Sequence, residues 1–240
     1  MYEFEQVSRP VIFKSDHPEY SYWGKGSSFL ISNTDNYYWV TATHVLKNTG
    51  ASVNSVRIFP SDNSKISLPF NERYLIKTDL TNADDFNDIT ILRIDLHEFD
   101  SSGDAPLITQ DIETGVIGAE QLKQSDELWI IGYPSESNLI DYDSRVIKTT
   151  RVVLRALYDG ESISEYCHKL KIESSIKLKD LDGLSGSPIF HMKQANINGQ
   201  LVNFWILVGM LQRGSASSGT AHFVSSSVIV RMVSLAECKA

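Results

Sequence analysis

What this 240-residue chain has little of narrows its chemistry first. Only two cysteines occur, Cys167 and Cys238, far apart and in no C-x-x-C or metal-ligand spacing. Neither a disulfide framework nor a zinc site is expected. No run of about 18 apolar residues occurs, so no membrane-spanning helix is expected. Basic residues are the minority: 22 Lys and Arg stand against 30 Asp and Glu, a formal net charge of −8. That is the wrong sign for a surface that must gather phosphates, so no nucleic-acid partner is expected. The start, MYEFEQVSRP, has no basic stretch followed by an apolar core. The expectation is therefore a cytoplasmic chain with reduced thiols rather than a secreted one. Gly24-Lys25-Gly26 lacks the Lys-Ser/Thr continuation of a phosphate loop and no helix is expected after it, leaving no nucleotide or other cofactor to propose. Repeats, low-complexity tracts and proline-rich linkers are missing too.

What is present is a series of short, alternating apolar runs separated by Gly, Asn, Asp and Ser. Strands are expected at 27–32, 37–45, 55–59, 88–94, 127–133, 148–157, 169–175, 187–192 and 204–211. Such spacing argues for an all-β barrel or sandwich and against βαβ units. Helical periodicity is clear only at the end, where Ser225 to Ser227 can cap a run through Val228, Ile229, Met232, Val233 and Leu235 to Ala236. Turn residues interrupt the strands between 100 and 125. This suggests one two-lobed domain over 1–240, with lobes 1–115 and 116–240.

The segment Leu181-Asp-Gly-Leu-Ser185-Gly-Ser-Pro-Ile-Phe190 has two readings. Small residues make tight turns before a strand. They also clear the backbone around one hydroxyl, which is what a nucleophilic serine needs. A serine attacks a carbonyl only when a base takes its proton, and the usual base is a histidine oriented by a carboxylate. Of six histidines, His44 has a distinctive setting, directly after the apolar run Tyr37-Tyr-Trp-Val-Thr-Ala-Thr43; taken alone, it also reads as a strand-end histidine satisfied by backbone. Asp88 opens the alternation Ile89, Ile91, Ile94 and so sits at the edge of a core, although a strand-start acid looks the same. Asp84 and Asp85 precede it in a polar loop. Asp95 lies seven residues on, roughly 23 Å away along an extended strand. No Asp follows Ser185 at all, and the fifth position of the serine motif is Ser187 rather than Gly. Both facts exclude the order and motif of an α/β-hydrolase; His44, Asp88, Ser185 instead follow the order of the chymotrypsin class.

Together, Thr41-Ala-Thr-His44-Val-Leu, Asn87-Asp-Ile-Thr-Ile-Leu-Arg-Ile-Asp95 and Asp182-Gly-Leu-Ser-Gly-Ser-Pro-Ile-Phe190 resemble the trypsin-like, chymotrypsin-fold serine peptidases. The look is nearest to compact bacterial-type members, such as the high-temperature-requirement and glutamyl endopeptidase groups. Weaker echoes lie at 24–32, 130–137 and 208–214, so the resemblance spans most of the chain. It implies two six-stranded antiparallel β-barrels with a C-terminal helix, and a site between them. His44 and Asp88 would come from the first barrel and Ser185 from the second. The backbone N–H groups of Gly183 and Ser185 would form an oxyanion hole. Lys179, six residues before Ser185, would lie at the base of a specificity pocket, where it would favour an acidic substrate side chain unless it turns to solvent. Gln212, Gly214 and His222 would stand near the same pocket.

The chain also departs from that pattern. Leu184 stands where zymogen-activated relatives carry an aspartate, so activation by an inserted N-terminus is not expected. Gln212 stands where relatives often carry a serine, which weakens the expected support of Asp88. The resemblance implies a serine endopeptidase working through an acyl-enzyme, with a protein or peptide substrate, no metal, no membrane, and a regulatory protein partner left open. The alternative is a catalytically silent protease-like domain that binds proteins.

Overall fold

The computed structural model describes residues 3–62, 64–76, 87–99, 107–143, 146–173 and 178–238. The first part of the chain supplies seven strands: β1 (Ser8–Lys14), β2 (Tyr22–Ser32), β3 (Tyr37–Thr41), β4 (Val56–Arg57), β5 (Phe70–Leu75), β6 (Thr90–Ile94) and β7 (Gln110–Asp111). They form one sheet in the order β4-β1-β2-β3-β6-β5, with β7 parallel beside β2. A bridge between Ile58, just past β4, and Leu68, just before β5, joins the two ends of that path. Apolar residues recur on β2, β3 and β6, and Phe29, Leu30, Ile31, Trp39, Val40, Ile91 and Leu92 are all buried. Strands buried on both faces read as nearly continuous apolar runs rather than strict alternation.

The second part begins with β8 (Glu127–Gly132), passes through a separate hairpin of β9 (Asn138–Asp141) and β10 (Val146–Thr149), and continues with β11 (Val152–Glu161), β12 (Cys167–Ile172), β13 (Pro188–Ile197), β14 (Gln200–Ser215) and β15 (Thr220–Ser225). β8 and β11 to β15 close into a six-stranded antiparallel barrel in the order β11-β12-β15-β14-β13-β8. Leu128, Ile130, Leu154, Leu170, Leu184, Ile189, Val208 and Phe223 belong to its apolar cluster. The expected pair of barrels is thus one closed barrel and one sheet closed by a single bridge.

Among the described residues there are two α-helices, α1 (Thr43–Lys47) and α2 (Ser226–Glu237). Ser225 caps α2, its hydroxyl accepting the Ser227 N–H. The apolar stripe Val228, Ile229, Met232 and Val233 joins the cluster that contains the first sheet's core. Glu237, the last residue of α2, accepts a 2.7 Å hydrogen bond from the Tyr38 hydroxyl on β3. The start of the chain crosses the other way: Phe4 stacks on Trp205 of β14 with ring centroids 3.7 Å apart. Each end of the chain therefore fastens the opposite sheet. No described helix is long and apolar enough to cross a membrane.

Two sequence expectations are corrected. The run 37–45 is not one strand: β3 stops at Thr41 and His44 lies in α1. Its apolar pattern continues because Val45 and Leu46 are buried from the helix instead. The run 148–157 is two strands, with Thr150 and Arg151 between them. β10 pairs with β9 in a separate hairpin, while β11 enters the barrel.

Candidate active site

The site is built from the ends of elements. Beyond β3, Ala42 leads into α1, and the first N–H of that helix, on Thr43, donates to the Asp88 carbonyl (3.2 Å). The Thr43 and Thr90 hydroxyls are 3.0 Å apart, tying the start of α1 to β6. Asp88 then grips His44 twice. Its Oδ1 accepts the His44 backbone N–H at 2.8 Å, and its Oδ2 lies 2.6 Å from His44 Nδ1. A carboxylate only accepts, so Nδ1 is the donor in this contact, and in a neutral ring the lone pair is then on Nε2. The Asp88 side chain is 16% exposed and that of His44 36%, so the carboxylate is shielded while the ring reaches the surface.

Ser185 comes from the turn before β13. Two glycines there have positive φ: Gly183 at +87° and Gly186 at +89°. Each also makes a close approach. A Cβ on Gly183 would lie 2.4 Å from Ser135 N, and one on Gly186 would lie 2.0 Å from the Ser27 carbonyl oxygen. Only glycine accepts both the backbone angle and the contact. The Ser185 carbonyl accepts the Ser27 N–H (2.9 Å), and the Gly186 N–H donates to Leu211 O (2.8 Å). The turn is thus clamped between β2 and β14. Pro188 opens β13.

The Ser185 hydroxyl donates to the Gln212 backbone carbonyl at 2.8 Å. Its hydrogen bond goes to the barrel wall and not to His44. Gln212 itself is buried, and its side-chain oxygen lies 3.6 Å from Cys167 Sγ. Among the described residues, neither the Gly183 nor the Ser185 N–H has a protein acceptor.

His44 and Ser185 line one open cleft of about 530 Å³, together with Lys179, Gln212 and Gly214. The cleft also takes in Asp180, Asp182, Arg213 and Ser215 to Ser217, which sequence reasoning did not single out. His222 is not among its lining; it sits on β15 and shares a 3.3 Å hydrogen bond with Ser162. The loop acids Asp84 and Asp85 lie outside the described residues. Asp95 caps a short turn, accepting the His97 N–H at 3.1 Å. Neither Cys167, which is buried, nor Cys238, which is exposed, is in a disulfide.

Comparison with curated proteins finds no match. Among solved structures, the scabies mite inactivated protease paralogue S-I1 is similar in fold, with a TM-score of 0.56 over 98% of this chain and 95% of that one, at 15% identity. The architecture is therefore chymotrypsin-like. A family model described as a trypsin-like peptidase domain matches residues 26–199, which include His44, Asp88 and Ser185. With most of its length matched, this chain belongs to the trypsin-like peptidase domain family.

Proposed function

We propose that the protein is a serine endopeptidase, with Ser185 as nucleophile, His44 as general base and acid, and Asp88 as the group that orients His44. The observation that carries this reading is the double grip of Asp88 on His44 beside Ser185 in one cleft. Asp88 holds the tautomer whose Nε2 can take a proton, and its charge favours the imidazolium that then forms.

The chemistry runs in two halves. Turning about its Cα–Cβ bond, Ser185 exchanges Gln212 O for His44 Nε2. Its Oγ bonds to the substrate carbonyl carbon as Nε2 takes the hydroxyl proton. Negative charge moves to the former carbonyl oxygen, where the Gly183 and Ser185 N–H groups are placed to receive it. The direction of those donors follows from their peptide planes. Asp182 O accepts the Ser135 N–H and Leu184 O accepts the Ser187 N–H. In a trans peptide the next residue's N–H points the opposite way. The C–N bond then breaks, the amine leaves with the proton from Nε2, and an acyl-Ser185 ester remains. A water repeats the sequence: it gives its proton to Nε2, bonds to the acyl carbon, and releases the acid as Oγ recovers the proton.

A second reading, a silent domain that binds proteins, is favoured by the Ser185 hydroxyl donating to Gln212 O. The similar-fold paralogue is itself described as inactivated. The two readings separate on a mixed peptide library analysed by mass spectrometry. Hydrolysis is expected for the wild type and none for Ser185→Ala. Cleavage that persists in Ser185→Ala, or is missing from both, overturns the peptidase reading.

A further inference from the structure

Between Asp182 and Ser185 the chain passes through three peptide planes, each held by a hydrogen bond to its carbonyl. The outer two are held by backbone, from Ser135 N–H (2.9 Å) and Ser187 N–H (3.0 Å). The middle one differs. The Gly183 carbonyl is held by a side chain, the Ser27 hydroxyl on β2, at 2.7 Å and across 156 residues of sequence. Its N–H, on Leu184, donates to Leu181 O (3.1 Å), and the Ser27 hydroxyl fixes its other edge beside Gly183, which has no Cβ to limit rotation.

Ser27 is fully buried. Its hydroxyl accepts the Tyr133 N–H at 2.8 Å, so its single proton is committed to Gly183 O. Its own N–H donates to the Ser185 carbonyl. Its carbonyl accepts the Thr41 hydroxyl at 2.7 Å, at the end of β3 that leads to His44. One residue of the first sheet thus holds the carbonyls on both sides of Leu184 and touches the strand that delivers the histidine.

We propose that Ser27 is a positioning residue that keeps the Gly183 and Ser185 N–H groups facing the cleft. Its effect on rate rests on the peptidase reading above; its effect on the backbone does not. Without the hydroxyl, Gly183 O and Tyr133 N–H lose their partners together in a dry interior. Buried polar groups do not stay unpaired without penalty, so the planes around Gly183 turn to find new ones. The neighbour Ser28 is a matched control. It is equally buried, but its hydroxyl donates to Arg9 O (2.9 Å), on the other face of the strand.

The test compares Ser27→Ala with Ser28→Ala by two readouts. In amide NMR spectra, Ser27→Ala is expected to shift or split the Gly183 and Ser185 signals, and Ser28→Ala to leave them in place. In steady-state hydrolysis, per folded molecule, Ser27→Ala is expected to lower kcat by about 10- to 100-fold with KM within about threefold. That is less than removing an oxyanion donor outright. Ser28→Ala is expected to retain wild-type kcat. Should Ser27→Ala not fold, Ser27→Cys keeps a side-chain donor but a weaker and bulkier one, and is expected to act in the same direction. Unmoved Gly183 and Ser185 amides, equal shifts in the two variants, or a loss confined to KM overturns the proposal. If wild type hydrolyses nothing, the peptidase reading fails, and the amide readout alone decides the role of Ser27.

Discussion

The two halves of the candidate site are held in different ways. The histidine half is local. Asp88 and His44 lie 44 residues apart, just before β6 and in the helix just after its neighbour β3, and three hydrogen bonds join the start of α1 to Asp88. The serine half is assembled across sheets: Ser27, Ser135 and Leu211 come from three separate stretches to hold the turn around Ser185. His44 is already paired with Asp88, while the Ser185 hydroxyl donates to Gln212 O. A half built by neighbours tolerates disturbance elsewhere in the fold; a half built by distant contacts inherits every change in how the sheets meet. The serine side is where this domain is most easily disabled.

The largest effects come from breaking the link between the halves. Ser185→Ala and His44→Ala are each expected to lower kcat by roughly 10⁶, and the double variant to lose little more, because the two act as a unit. Strictly multiplicative losses in the three rate measurements would show that they work apart. Next is Asp88→Asn, which keeps the shape but presents an amide to Nδ1 and so favours the wrong tautomer. Turnover is expected to fall by about 10⁴. Near-normal turnover in this variant would assign the orienting role to another acid.

The serine half can be disturbed sterically without touching a reacting group. In Gly186→Ala the new methyl would meet Ser27 O at 2.0 Å, at a φ of +89°. A loss of about 3 kcal/mol in urea-unfolding stability is expected from overpacking and backbone strain. Wild-type stability there would show that the sheets separate easily at this point.

A smaller effect concerns His168, away from the cleft. It is buried, with Nδ1 2.8 Å from the Tyr158 hydroxyl. Burial lowers its pKa, against the opposing pull of Glu120 and Glu161. The unfolded chain then binds a proton more readily than the folded one, so stability is lost as pH falls below about 6.5, the ordinary histidine value. Urea midpoints are expected to fall below that pH in wild type and to fall less in His168→Gln. Equal slopes would remove His168 as the cause.

The smallest effect tests the cleft. If Lys179 faces a bound acidic side chain, Lys179→Gln lowers the preference for Glu over Gln ahead of the scissile bond by about 2- to 5-fold, the strength of an exposed ion pair. No change in that ratio would remove Lys179 from recognition.

How much of this was readable from the residues follows the same division. His44, Asp88 and Ser185 stood out because each sits in a short local pattern, and chain order excluded the competing hydrolase arrangement. The strands from 27 to 32 and 204 to 211 were visible, but β14 runs from Gln200 to Ser215. Its hairpin with β13 extends into an exposed end where polar residues surround the exposed Ile197 and Leu201, so no buried face marks the strand. β1 was missed because Pro10 interrupts it; the structure absorbs Pro10 at a register shift against β2. β5, Phe70–Leu75, alternates in burial, but Asn71, Glu72 and Arg73 put polar residues on both of its faces. Ser27 left no trace, since a hydroxyl bond across 156 residues has no periodicity.

Labelling with a fluorophosphonate most directly tests whether Ser185 is an activated nucleophile. The probe reacts with serines whose hydroxyl proton is taken by a base, and mass spectrometry locates the adduct. One adduct per chain is expected in wild type, on Ser185, and none in Ser185→Ala or His44→Ala. A wild type left unlabelled, or labelled equally in His44→Ala, would contradict the account and leave Ser185 bound to Gln212 O as an ordinary hydroxyl.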